Sequence, residues 1–322
     1  MRQGKELILA TKPFAHENLF KSWLYSLSTL FFMTASFAAG FLLKAWYFQL
    51  PVALLSGLLM SRMFVIYHDN QHGAILHHSK MGNLMFAIYG LFALAPVSIW
   101  KRSHDHHHVH NSKLSNTGIG AYPTISVDMF NRLSKKERWI YLAARHPITV
   151  FSGYLTIFIY NLNIHSLMYS FRRHFDCGVA LVLHIAASVS IFYFLGPQTY
   201  FLGWLLPFLT AHGMGAYLFY IQHNFPGAVY NEGKDWTYHG AALGTTSFVI
   251  MPKILHWFTG NIAYHHIHHL NVRIPFYRLP EVMESIPELQ NPKTIRWSIK
   301  DMVEAFRLKV WDSESGRMIG LK

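Results

Sequence analysis

Eight histidines stand in three short words of this 322-residue chain: His68 and His72 in HDNQH, His104, His107 and His108 in HDHHH, and His265, His268 and His269 in HHIHH. Within each word the offsets are i,i+4 or i,i+3,i+4, which share one face of an α-helix, so each word can aim its rings at one point. Neutral imidazole is the commonest protein metal ligand and suits zinc, copper, iron and nickel. Eight rings are too many for one ion and suit two. His106 and His266 fall off the shared faces and are expected to point elsewhere. A single His-rich tract would imply only loose metal binding; three compact words imply a built site.

The elements that position these rings are read from composition. The chain is 52% hydrophobic and 14% charged, with mean hydropathy +0.18, far below the quarter of charged residues usual in soluble domains. Four apolar runs are long enough to cross a bilayer, at 22–43, 46–67, 177–195 and 200–220. Short turns at Lys44 and at Gly196–Thr199 join them into two hairpins. The expected architecture is all-α: one domain over 1–322, four transmembrane helices and a helical cap formed by 68–174 and 221–322. Two shorter apolar stretches, Leu84–Trp100 and Thr149–Ile164, are expected to lie in the interface or over the cap. If the first crossed the bilayer, it would separate two halves of one metal site by about 30 Å of hydrocarbon.

Charge sets the orientation. Arg2, Lys5, Lys12 and Lys21 precede the first span, Arg172 and Arg173 precede the third, and the turns carry one lysine, Lys44. The positive-inside rule puts both termini and the histidine words on the cytoplasmic face of the inner membrane, with 100–120 and 255–275 on that side and Lys44 and Gly196 on the other. A net charge of +12 fits a cytoplasmic face on anionic lipid. Basic residues flank apolar spans with no interleaved aromatic and basic surface, which argues against nucleic acid. Lys12, Glu17 and Lys21 interrupt the N-terminal stretch where a secretory signal needs an apolar core. The lone Cys177 allows neither an intrachain disulfide nor a thiolate metal site. His184 and His212 lie inside spans, where a bonded structural histidine is as good a reading as a functional one. His77 and His78 match no word and read as surface.

With these words in place, the chain resembles the membrane fatty acid desaturases. HDNQHG, WKRSHDHHHVHN, FYIQHNFPGAVY and FTGNIAYHHIHHLNVRIPFYRL are similar to the acyl-lipid Δ12/ω-6 branch, bacterial members included, and the likeness runs from ATKPF to VWDSESGRMIG. The three-residue gap in the first word favours that branch over the acyl-CoA type. The resemblance implies two non-haem iron ions, O2 as co-substrate, a membrane lipid acyl substrate, and an external electron donor such as a ferredoxin or a cytochrome b5-like protein with its reductase. It also implies a ninth ligand, matched by His223.

The expected reaction follows from the substrate. An unactivated C–H bond offers no acid–base handle, so the oxidant must come from a metal. Reduction of O2 to water takes four electrons; two come from the donor and two from the acyl chain as it loses two adjacent hydrogens and becomes a cis alkene. Asp69, Asp105, Asn70, Asn111 and Asn261 are candidates to bond the second ring nitrogens. The main alternative is a sister hydroxylase or oxygenase acting on an alkane, sterol or carotenoid. A transporter is a poorer fit, because its polar residues would run through the bilayer midplane.

Overall fold

The computed structural model describes residues 2–114, 119–231 and 233–321; the 115–118 part of the loop expected on the cytoplasmic side lies outside them. After a short α1 (Gly4–Thr11), Asn18 caps the first long helix by accepting the Lys21 N–H at 2.9 Å. That helix, α2 (Leu19–Leu42), turns through Lys44 into α3 (Trp46–Gln71). At 1.5 Å per residue each exceeds the roughly 30 Å of a bilayer core. Inside the hairpin, Gln49 Nε2 donates to the Gly40 carbonyl and Ser56 Oγ to Ser36 Oγ. α3 runs past the expected end of its span at residue 67, so His68 is still helical and its direction is set by the span itself.

The stretch Leu84–Trp100 does not form one helix. α4 (Lys80–Phe92) and α5 (Val97–His110) meet at 92°. Pro96 cannot continue the first helix, and Leu94 sits at φ +56°. A break of this kind frees backbone carbonyls, and three elements supply donors for three of them. Tyr67 Oη of α3 donates to Ala95 O at 2.8 Å, Asn163 Nδ2 to Leu94 O at 2.7 Å, and His212 Nε2 bonds Ala93 O at 3.0 Å. The second turn of the bend is pinned as well: Ser98 N–H and Oγ–H both donate to the carboxylate of Asp176.

The chain then forms α6 (Val127–Arg132), α7 (Lys135–Ala144) and α8 (Pro147–Phe151). A π-helix over Tyr154–His165 follows and passes into α9 (Ser166–Tyr169), so Thr149–Ile164 is also divided between elements. The second hairpin is α10 (Phe175–Leu195), α11 (Pro197–Thr199), a π-turn over Tyr200–Leu205 and α12 (Leu206–His223). By length and apolarity, α2, α3 and α10 qualify as membrane spans among the described residues, and the bent α4–α5 pair would add one if it counted. The last expected span, 200–220, is thus not one uniform apolar helix. Its small and polar residues serve packing: a Cβ on Gly57 of α3 would lie 2.6 Å from Thr210 Cβ, so the two helices cross almost backbone to backbone. Phe37, Phe92, Trp204 and Phe208 interlock beside that crossing, with ring centroids 4.9–6.4 Å apart.

The C-terminal part of the cap is built of α13 (Tyr238–Gly244), α14 (Lys253–Phe258), α15 (His265–Leu270), α16 (Leu279–Ser285) and α17 (Ile299–Arg307). Two small sheets depart from an all-α plan. β1 (Phe248–Ile250) pairs in parallel with β2 (Thr294–Arg296), and β3 (Val310–Asp312) antiparallel with β4 (Arg317–Ile319). The first clamps together the segments on either side of α15, and its Phe248 also bridges to Tyr264, the residue before that helix.

The bend makes a direct test possible. Asn163→Leu strips the donor from the Leu94 carbonyl, and a buried unpaired group costs about 1–3 kcal/mol. Thermal unfolding in detergent should register that loss. A variant with unchanged Tm would mean that the Asn163 contact does not hold the bend.

Candidate metal centre

Each of the three histidine words ends up on a helix aimed inward. α3 delivers His68 and, just past its end, His72; α5 delivers His104, His107 and His108; α15 delivers His265, His268 and His269; α12 ends on His223. The rings sort into two groups. His68, His72, His104, His108 and His268 form one, and His107, His223, His265 and His269 the other, with the ligating nitrogens of each group all within 4.8 Å of one another. The groups touch: His108 stacks on His269 with centroids 4.1 Å apart.

The nitrogen spacing tests whether such a group fits a metal. Within the five-ring group, His104 Nε2 lies 2.8 Å from His68 Nε2 and 3.1 Å from His108 Nε2, and His108 Nε2 lies 3.1 Å from His268 Nε2. In the four-ring group the spacings are 3.1 Å for His107–His223, 2.9 Å for His265–His223 and 3.1 Å for His269–His265. One N–H cannot serve two facing nitrogens at once, and His72 Nε2 is buried with no partner at all. One shared cation satisfies every inward lone pair. Two nitrogens bound at about 2.1 Å lie about 3.0 Å apart at a right angle and about 3.4 Å apart at the tetrahedral angle. The observed spacings match the right angle, and five rings exceed the four positions of a tetrahedral site. The residues fit a metal pair of coordination number above four.

Electrostatics favour the ligating form. Burial holds His104, His107, His108, His265, His268 and His269 well below the ordinary histidine range, and neighbouring rings act in the same direction. These rings are neutral at pH 7, with lone pairs free for a metal.

Outer partners fix some of the rings. Asp69 is the strongest. Its Oδ1 faces His68 Nδ1 at 3.1 Å, and its Oδ2 accepts the Phe276 N–H at 2.6 Å, tying α3 to the segment after α15. Asp105 stands 3.9 Å from His72 Nδ1 but is half exposed and pairs with Lys101 at 2.8 Å. The three asparagine candidates do not reach a histidine. Asn70 donates to Ile75 O and Asn83, Asn111 to Ala241 O, and Asn261, at φ +56°, to Phe276 O. They shape the loops that carry the rings. Sequence reasoning missed the Thr245 carbonyl, which holds His223 Nδ1 at 3.2 Å; a backbone acceptor leaves no side-chain signal. The Nδ1 atoms of His108, His265 and His268 are buried without a hydrogen-bond partner.

The remaining histidines separate cleanly. His106 stacks on His110 at 4.0 Å and His266 bonds Leu289 O at 3.3 Å; neither joins a group. His77 and His78 are exposed. His184 bonds Tyr154 Oη at 2.6 Å, and His212 serves the α4–α5 bend.

This sorting predicts a difference between neighbours in one word. His268→Ala should lower bound metal, whereas His266→Ala should leave the metal count intact, with at most a roughly 10–100-fold effect through the supporting shell. Metal analysis of both purified variants is the check. Equal metal loss would dissolve the distinction drawn here.

Comparison with known proteins now adds to the geometry. The sequence profile described as fatty acid desaturase matches residues 44–298. A protein of Bacillus subtilis (strain 168) named fatty acid desaturase is 26% identical over 85% of this chain and 77% of its own length. An sn-1 oleoyl-lipid 12-desaturase of Synechocystis is 24% identical over 92% of this chain and 85% of its own. An sn-1 acyl-lipid omega-3 desaturase (ferredoxin) of Synechocystis is 25% identical, covering 87% and 80%. A profile match across most of the sequence, joined to membrane-length helices and converging histidines, makes this chain a membrane protein of the fatty acid desaturase family and an oxidoreductase.

Proposed function

We propose that the protein is a di-iron acyl-lipid desaturase that introduces a cis double bond into a lipid-linked acyl chain, of Δ12/ω-6 type, using O2 and two electrons from an external donor. The observation that carries this reading is the sorting of nine imidazoles into groups of five and four. The nine residues His68, His72, His104, His107, His108, His223, His265, His268 and His269 would hold the pair. An all-nitrogen site of more than four ligands suits iron better than tetrahedral zinc. The name of one of these relatives supports the oleoyl-lipid substrate and that of another a ferredoxin-class donor. Bound there, iron would draw from dioxygen the oxidising power that an unactivated C–H bond requires and no side chain has.

The chain's own contribution is orientation and dryness. Asp69 on His68 and the Thr245 carbonyl on His223 fix the proton on Nδ1 and keep Nε2 free for the metal. Trp100 stacks on His104 at 5.1 Å, and Phe64 packs on Trp100 at 4.8 Å, so an aromatic wall excludes water on the side of the spans. An acyl chain lying against that wall would meet the metals in a medium matched to its own polarity. The charge bias supports a site on the cytoplasmic face of the inner membrane, with both termini on that side.

Expression in a host with a simple fatty acid profile tests the activity. Gas chromatography with mass spectrometry should show a new cis alkene, and the purified protein about two irons per chain. A new alcohol would point to the sister hydroxylase instead. A single zinc retained after iron loading would overturn the di-iron assignment. Orientation is tested with cysteines at Lys44 and Ser315, both exposed, in a Cys177→Ala background. An impermeant thiol reagent should label them from opposite sides; labelling of both from one side would refute the two-hairpin topology. The buried Thr199 is unsuited to this purpose.

A further inference from the structure

A cavity of about 50 Å³ lies beside the metal centre, lined by His107 and His223 together with Ser112, Lys113, Tyr122 and Arg145 among others. By the same measure a water occupies about 10–15 Å³, so the cavity holds a few small groups. Of the three histidines on its wall, His107 and His223 belong to the four-ring group and His110 to neither; no member of the five-ring group lines it. The cavity therefore opens on the metal position that has one fewer histidine.

Its charge is one-sided. Arg145 is fully buried, and no carboxylate lies within 4 Å of it among the described residues. Its guanidinium is held by neutral oxygens: Nη1 donates to Pro123 O and to Thr124 Oγ1 (2.9 Å), and Nη2 to Asn224 Oδ1, on the residue after His223, and to Leu308 O (3.4 Å). Tyr220 and Tyr141 flank it at 5.4 and 5.7 Å. Tyr220 hydrogen-bonds the guanidinium and supports its charge, while Ser112 Oγ on the same cavity is buried without a partner. Lys113 adds a second cation to the lining, which among the described residues contains no aspartate or glutamate. A buried cation without a counter-ion is held against its desolvation penalty, and an anion nearby relieves it. The five-ring group has the opposite surroundings, with Asp69 and Asp105 beside it.

We infer that this cavity is a small-anion site serving the four-histidine metal position, with Arg145 supplying the charge that draws in a hydroxide- or azide-sized ligand. The inference rests on the metal-pair reading above. It makes the two metal positions unequal: exogenous anions bind at the four-histidine position and not at the five-histidine one.

Azide is the probe, titrated into the full-length, iron-loaded, oxidised protein in detergent and followed by its charge-transfer absorption. One azide per chain should bind saturably. Arg145→Met should raise the dissociation constant about tenfold or more, the scale of a lost charge-assisted contact, while Arg145→Lys should stay within about threefold. Ala121→Phe fills the cavity and leaves the guanidinium in place; it should slow azide binding by about tenfold and stands in if Arg145→Met fails to fold. Two irons per chain with azide binding unchanged in Arg145→Met and Ala121→Phe would overturn this inference alone, as would two azides per chain. A protein without bound metal would overturn the metal-pair reading and this inference with it.

Discussion

A backbone carbonyl buried away from water must find its donor within the protein. The right-angle break between α4 and α5 is where this constraint is hardest to meet, and the centre depends on how it is met. Three consecutive carbonyls, of Ala93, Leu94 and Ala95, are paired by His212, Asn163 and Tyr67, from three different elements. Asp176 then accepts the Ser98 N–H and fixes where α5 begins. α5 supplies histidines to both groups: His104 and His108 to one and His107 to the other. A bend that wandered by a few degrees would move three ligands at once. The polar residues buried among the spans serve the histidines by aiming the helix that carries them.

Convergence has an energetic cost that a metal would offset. Nine rings with facing nitrogens are poor partners for one another, since neighbouring lone pairs repel and one proton serves one contact. Burial keeps His72, His104, His107, His108, His223, His265, His268 and His269 from escaping this by protonation. The arrangement holds because the helices are anchored elsewhere: α3 against α12 at Gly57, α3 against the Phe276 segment through Asp69, and α15 between strand-bound segments. A scaffold held in place in this way would be organised ahead of metal binding, which would lower the ordering cost that binding must meet.

How much of this was legible in the sequence depends on range. The histidine words were legible because i,i+3,i+4 places rings on one face even in a helix as short as α15. His223 came only through family likeness; a lone histidine at a helix end has no spacing pattern. The hairpins were legible from apolar length, with ends a few residues off because α3 and α12 continue as helices beyond their apolar runs to deliver His68 and His223. The supports were mostly illegible. Asn70, Asn111 and Asn261 stand next to the words and looked like partners of the rings, yet they bond loops. The contact that counts joins Asp69 to Phe276 across 207 residues. Nothing local in the sequence marks Arg145, whose partners lie at Pro123, Thr124, Asn224 and Leu308.

The centre finally has two unlike sides, and desaturation needs both. Towards the spans, Trp100 covers His104 and stands with Phe64 and Phe158 in an aromatic wall; such a surface suits an alkyl chain and repels water. Towards the cap, His107 and His223 border a polar, cationic cavity. Hydrogen removal from a saturated chain consumes protons and releases water while the chain itself must stay dry. Placing the apolar wall against the five-histidine group and the wet cavity against the four-histidine group would let both happen a few ångströms apart without mixing. On the proposed metal-pair reading, the same division would account for groups of five and four rings: the dry side would gain from a closed set of imidazoles, and the wet side from a position that a small exogenous ligand can occupy.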